Sequence, residues 1–319
     1  MNHTKQDCAS PGMQSFKKSS LLIDEELHSY NEYLRDVRGL ATATCEDKIR
    51  VIRLFLEQNF KGCSIKISAL KPDDIHRFLA LQLGVNPNAS AASRFTSALR
   101  SYLRYRNIFG DHIDTLTAAI TSPANWKLAS LPRALKADET EVLLDSFCDN
   151  LYLPKRGYSI VRFALDMGLR CGEIAHLKIS DIDWLKGTVT LRGTKSLRQT
   201  ILPLPVETGK ALADYILHER PVTDHPVIFI RQIDGQEHPI TSTAIQKVIK
   251  RACCRAGMPQ YSAHALRHTL ACRLVENGSS LKEVADILRH RSLNTTMIYA
   301  KLDIPKLAVV ALPWPGSIS

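Results

Sequence analysis

The stretch His264–Leu302, HALRHTLACRLVENGSSLKEVADILRHRSLNTTMIYAKL, sets the problem this chain poses. Its apolar residues recur at helical spacing in HALRHTLACRLVENG and again in SLKEVADILRH, so two short helices are expected. Into them are set His264, Arg267, His268, Arg289 and His290, with Tyr299 following. A buried segment avoids such residues, because desolvating unpaired charge is costly. A solvated face would mix its signs more evenly. Three readings compete: a nucleic-acid patch, a metal site, and an active site built around an anion.

The metal reading is the weakest. His264, His268 and Cys272 fall at i, i+4 and i+8 on one helical face, as zinc ligands can. Yet no acid stands between the histidines, and Arg267 and Arg273 would repel a cation. No metal or other cofactor is expected.

Two further cations stand upstream. Arg170 lies in MGLRCGE, just past a helix-ending glycine, where a turn can aim a side chain into a cleft. Lys195 lies in TKSL, between GTVTLRG and RQTILPLP, which alternate like the strands of a hairpin. Helices are expected at YSIVRFALDMG, CGEIAHLKISDI, VETGKALADYILHER and TSTAIQKVIKRACCRAG, and one starting at Asp138. The fold class is therefore mainly α with a small antiparallel sheet (α+β) for the second domain.

The first domain reads differently. LLIDEELHSYNEYLRDVRG, CEDKIRVIRLFLEQNF, KPDDIHRFLALQLG and SAASRFTSALRSYLRYRNIFG each carry the helical period, giving an all-α bundle. The last holds Arg94, Arg100, Arg104 and Arg106, interleaved with Phe95, Tyr102 and Tyr105. These arginines are candidate contacts to a phosphate backbone, or a solvated basic face. The expected organisation is a flexible tail over 1–20, a helical, candidate DNA-binding domain over 21–118, a linker over 119–137, a second domain over 138–305 and a tail over 306–319.

Composition agrees. The chain has 319 residues, 42 Lys and Arg against 32 Asp and Glu, and a formal net charge of +10, which points to an anionic partner. No apolar run reaches the roughly 20 residues of a membrane span, and the start lacks the apolar centre of a secretory signal. Eight scattered cysteines without a CxxC pair fit free thiols in a reducing compartment. A cytoplasmic, nucleoid-associated protein without membrane partners is expected.

Taken singly, each functional residue has an ordinary structural explanation, but their order and spacing in one chain do not. ALDMGLRCGEIAHLKISDID, GTKSLRQTILPLP, HALRHTLACRLVENG and VADILRHRSLNTTMIYAKL together resemble the four blocks of the tyrosine recombinases, the phage-integrase family, over roughly residues 138–305. The resemblance implies a catalytic set of Arg170, Lys195, His264, Arg267, His290 and Tyr299, supported by Glu173 and His268. It also implies double-stranded DNA as substrate, a homo-tetramer on synapsed DNA and, in some members, an accessory or sister recombinase. The segment after Tyr299 would dock on a neighbouring subunit, through Leu307–Leu312. With no arm-binding segment apparent before Leu21, short inverted core sites are the expected target. One departure stands out: Arg289 occupies a position where the family usually has glycine.

The implied chemistry suits these residue types. A phenol has a pKa near 10, and neighbouring positive charge would favour its ionised form, Tyr299 attacking a phosphodiester. Two arginine forks would hold the non-bridging oxygens, and Lys195 would protonate the leaving 5′ oxygen. Two other readings share the residues: a type IB topoisomerase-like nicking and closing enzyme, and a catalytically silent DNA-binding protein of the same fold.

Overall fold

The computed structural model describes residues 11–60, 64–85, 88–121, 133–148, 150–192, 199–290 and 295–302. The chain divides into two compact units, residues 1–126 and 127–319.

The first unit is helical: α1 (Pro11–Glu32) continuing into a π turn (Tyr33–Val37), α2 (Thr42–Asn59), α3 (Pro72–Val85), α4 (Ala89–Ile108) and α5 (Asp114–Ala119). Gly39, at φ +57°, ends the first segment in the left-handed conformation that glycine adopts without penalty. Asn88 caps α4 by accepting from the Ala91 N–H at 2.7 Å. The apolar stripes meet in one core that includes Tyr30, Phe55, Phe78, Phe95, Leu99 and Tyr102. Burying each side chain of this size stabilises by about 1.5–3 kcal/mol.

One expectation changes here, and the aromatics of α4 find their place. Helix α1 begins at Pro11, inside the segment read as a tail, with proline at the helix start where its missing N–H costs nothing. Phe95, Tyr102 and Tyr105 are core residues, so the aromatics between the α4 arginines hold the bundle together and do not face a ligand. The short α5 was too brief to show a period in the sequence.

The second unit runs α6 (Ala137–Asp145), α7 (Pro154–Asp166), α8 (Cys171–His176), β1 (Ile182–Asp183), β2 (Thr188–Arg192), β3 (Gln199–Pro203) and α9 (Val206–His218). It continues with β4 (Ile230–Ile233), β5 (Gln236–Pro239), α10 (Ser242–Arg255), α11 (Ala263–Glu276), α12 (Leu281–Ile287) and a 3-10 turn (Met297–Leu302). Strands β1, β2 and β3 form an antiparallel sheet in that order, with Val189 opposite Leu202. Helix α7 is the centre of the core: Ile160, Val161, Phe163 and Ala164 pack with Leu212, Tyr215, Ile245, Ile249 and Leu266. The mainly helical unit with a small antiparallel sheet is the architecture the sequence predicts.

The helix expected through CGEIAHLKISDI stops at His176. Leu177 and Ile179 instead pair with the segment before β4, through Ile228 N–H to Leu177 O at 2.8 Å and Ile179 N–H to Pro226 O at 3.0 Å. Asp181 then accepts from the Lys178 N–H and from Arg192 Nε, both at 3.0 Å. The β4–β5 hairpin was absent from the sequence reading. Its signal is Asp234-Gly235, at φ +50° and +77°, the dipeptide that two-residue hairpin turns favour.

Candidate active site

The site is assembled around a turn. After α7, Gly168 adopts φ +58°, and a Cβ there would lie 2.9 Å from Cδ2 of both Leu270 and Leu288. Glycine takes this conformation without strain, whereas a Cβ would press on the ends of both leucine side chains where α11 and the end of α12 close on this turn. Arg267, on α11, donates Nη1 to the Gly168 carbonyl and Nη2 to the Leu288 carbonyl. Its side chain is thus fixed between the two turns, and the residue is buried. Burial, then the nearby Arg170 and Arg289 charges, lower its pKa to about 9. It still carries a proton at neutral pH.

Arg170 opens α8 with its side chain half exposed. Nη1 donates to Glu173 Oε1 at 2.9 Å and Nη2 donates to the Arg289 carbonyl at 3.3 Å, while its backbone N–H donates to Glu173 Oε2 at 2.8 Å. Arg289 Nη2 donates to Glu173 Oε2 at 2.8 Å. Burial opposes ionisation of Glu173, but the Arg289 charge and hydrogen bond, then Arg170, outweigh it and hold the carboxyl below its ordinary range.

Tyr299 is 1% exposed and packs with Ala271, Cys272, Val275, Val284 and Leu288. Its hydroxyl shares a 2.6 Å hydrogen bond with Nδ1 of His268. Burial pushes the phenol up to about 12, with Cys272 adding to the rise and Arg267 opposing it. The expectation that surrounding charge favours phenolate is therefore corrected: desolvation wins, and the hydroxyl keeps its proton. His268 is lowered by its burial, then by His264 and Arg267, so its ring is neutral at pH 7 and able to accept that proton.

His290 hydrogen-bonds Thr296 Oγ1 through Nδ1 at 2.7 Å. Burial and then the Arg267 and Arg170 charges lower it to about 4, so it too is neutral and can offer a hydrogen bond through Nε2. Arg170, His264 and Arg267 line a cavity of ≈ 830 Å³, open to solvent, together with Lys247, Lys250 and Arg251 of α10. Sequence reasoning missed those three. Their i, i+3, i+4 spacing was the available signal, since it places them on one helical face.

The structure therefore brings Arg170, Glu173, Arg267, His268, His290 and Tyr299 into one region, with His264 exposed at its rim. Lys195 lies outside the described residues, as do Leu307–Leu312 and the whole 306–319 segment. The four α4 arginines do not share one environment. Arg106 is held by Glu26 at 3.0 Å and Asp111 at 2.7 Å, and Arg100 donates to the Ile120 carbonyl at 2.6 Å. Arg94 lies over the Phe95 ring at 4.9 Å and 3.7 Å from Asp47, and Arg104 is exposed. Among the described residues, no three His, Cys, Asp or Glu side chains are grouped as a metal would require. No helix among them is long and apolar enough to cross a membrane.

With this geometry in place, the relationship to known proteins can be read. The model of the phage integrase family matches residues 133–304, which takes in every residue of the cluster. The chain belongs to the phage integrase family. It is 33% identical over 296 residues to the "Putative integrase/recombinase y4rA" of Sinorhizobium fredii, across 92% of this chain and 72% of that protein. It is 26% identical to the tyrosine recombinase XerC of Thermodesulfovibrio yellowstonii, across 82% and 88%. Among solved structures, the XerH site-specific recombinase in its post-cleavage complex on palindromic difH superposes with a TM-score of 0.68 at 18% identity, covering 98% of this chain and 99% of that one. A lambda integrase dimer bound to a COC′ core site does so with 0.67 at 17% identity, covering 86% and 94%. At these identities, such matches establish the integrase fold, a helical unit followed by a mainly helical unit with a small sheet.

Proposed function

We propose that this integrase-family chain is a site-specific DNA recombinase that cuts and rejoins duplex DNA through a 3′-phosphotyrosyl link at Tyr299. The observation that carries the reading is the Tyr299 hydroxyl on His268, in the same cluster as the guanidinium groups of Arg170 and Arg267. Because the residue is buried in the resting chain, DNA binding includes a shift of the 3-10 turn that uncovers its oxygen. The Tyr299 oxygen then forms a bond to phosphorus as the bond to the 5′ oxygen breaks. The phenol proton passes to His268 Nδ1, and Lys195 supplies a proton to the departing 5′ oxygen. Arg170 and Arg267 hold the two non-bridging oxygens as negative charge grows on them, with His264 and His290 as hydrogen-bond donors.

The energy of the broken ester is kept in the new one, so a 5′ hydroxyl from a second strand can reverse the step. Four such cuts in sequence would pass through a Holliday junction. Lambda integrase has been solved as a tetramer bound to one, and we assign the same assembly to this chain. Mobile-element integration and excision, or transposition, is the use that best fits its integrase relatives.

The test uses DNA from the boundaries of the element that encodes the chain, nicked so that the cleaved fragment diffuses away. Wild-type protein in EDTA is expected to form an adduct that survives denaturation and maps to Tyr299. Specific binding without any adduct would leave a silent DNA-binding protein. Relaxation of supercoiled DNA with no partner-site requirement would favour the topoisomerase-like reading.

The proton route has its own signature. A neutral His268 accepts the phenol proton, so the cleavage rate is expected to be flat from pH 7 to 9. It should fall as pH drops through the lowered pKa of His268, because the protonated ring cannot accept. In His268→Gln the proton must leave to water, and the rate should rise about tenfold per pH unit while the phenol remains protonated. Single-turnover cleavage across this range decides it, and a flat profile in the variant would remove His268 from the proton path.

A further inference from the structure

Arg289 borders the cluster with no task in the recombinase chemistry, and its backbone is the anomaly of the region. It follows α12 at φ +54°, a left-handed conformation that strains a residue with a Cβ. Glycine would remove that strain, so the side chain has to be held there by what it touches. Its Nη2 and Nε donate to Glu173 at 2.8 and 3.4 Å, and its Nη1 donates to the Ile287 carbonyl at 2.8 Å. Its own carbonyl accepts from Arg170 Nη2 at 3.3 Å. Glu173 in turn holds Arg170 through both its guanidinium and its backbone N–H.

We infer that Arg289 is a positioning residue that aims Arg170 at the scissile phosphate, clamping it from two sides: directly through the Arg289 carbonyl, and indirectly through Glu173. The side chain is only 13% exposed and its nitrogens face Glu173 and the chain's own backbone, so it does not itself hold the substrate. The same left-handed turn that strains the backbone presents the carbonyl and the guanidinium to one partner network. Arg170 is the half-exposed arginine of the pair that meets the phosphate, whereas Arg267 is already fixed by two carbonyls. A half-exposed guanidinium gains most from an external clamp, because its free rotamers would otherwise have to be ordered at the moment of reaction.

The inference rests on the recombinase reading, and the test separates the two. Arg289→Gly and Arg170→Ala are made singly and together in the full chain. Affinity for duplex site DNA and single-turnover cleavage of the nicked substrate are measured for each. Glycine fits φ +54°, so Arg289→Gly is expected to fold normally. It should cleave at least about tenfold more slowly at saturating DNA, the loss expected from misplacing a catalytic group. In the Arg170→Ala background, Arg289→Gly should change neither cleavage nor affinity, because the group it positions is gone. A purely structural role would give the same loss in both backgrounds. Arg289→Lys, which keeps the charge and loses the planar fork, should recover part of the rate. Wild-type rates in Arg289→Gly, or an equal loss with and without Arg170, overturn the inference. Should wild type form no adduct, the recombinase reading falls. The affinity arm still decides the inference: Arg289→Gly is expected to weaken binding of site DNA only where Arg170 is present, and an equal change in both backgrounds overturns it.

Discussion

Tyr299→Phe is expected to abolish the covalent adduct completely while leaving DNA affinity within about threefold of wild type. The ring is the buried part of the side chain, packed among Ala271, Cys272, Val275, Val284 and Leu288, and phenylalanine preserves that packing. Only the hydroxyl is lost, with its hydrogen bond to His268. A single such bond contributes about 0.5–1.5 kcal/mol to stability, so the variant should remain folded. Without the oxygen there is no nucleophile, and no neighbouring group can replace it: Cys272 is buried, and desolvation raises its thiol to about 11. Denaturing gels beside a gel-shift titration check both halves. An adduct in the variant would move the nucleophile elsewhere, and a large loss of binding would make Tyr299 a structural aromatic.

Arg267→Met is expected to reduce cleavage by about 10²–10³ or more, the loss seen when one preorganised donor to a developing oxyanion is removed. Methionine approximates the length of the stem but cannot donate to the Gly168 and Leu288 carbonyls. Leaving buried acceptors unpaired should lower stability by about 1–3 kcal/mol, partly offset because the buried charge is also gone. Stability and chemistry are therefore measured apart, by denaturant unfolding and by single-turnover cleavage well below the melting temperature. Cleavage within tenfold of wild type would show that Arg267 is a strut between two turns and takes no part in charge stabilisation.

The proposed reactive groups could be picked out in the sequence because their identities and order are the chemistry: two arginines, a lysine, histidines and a tyrosine in four blocks. What surrounds them could not. The sequence displays the positive charge near Tyr299 but not its burial, and burial decides the protonation of the phenol. Nor can local spacing show that Arg289 reaches Glu173 across 116 positions of chain; that pairing exists only once α12 closes on the α7–α8 turn. In the first unit, Arg106 read as a candidate DNA contact because its partner Glu26, which sits on a different helix 80 residues away, is invisible to any window. Two signals were present and unread: the Asp234-Gly235 hairpin turn, and the basic face of α10.

The bare backbone of Gly168 reaches further than its size suggests. Where a methyl would strike Leu270 and Leu288, its absence lets three segments that are distant in sequence meet at one point. Each of those segments delivers a side chain of the proposed active site: Arg170 after the turn, Arg267 on α11, His290 past α12. A side chain at this unreactive position should therefore strain the turn and press on Leu270 and Leu288, shifting the frame that carries the proposed reactive groups. A relative that kept the six proposed reactive side chains but replaced this glycine would hold an intact inventory on a displaced frame. Judging which members of the family still recombine DNA means reading position 168 alongside the residues proposed to hold the phosphate.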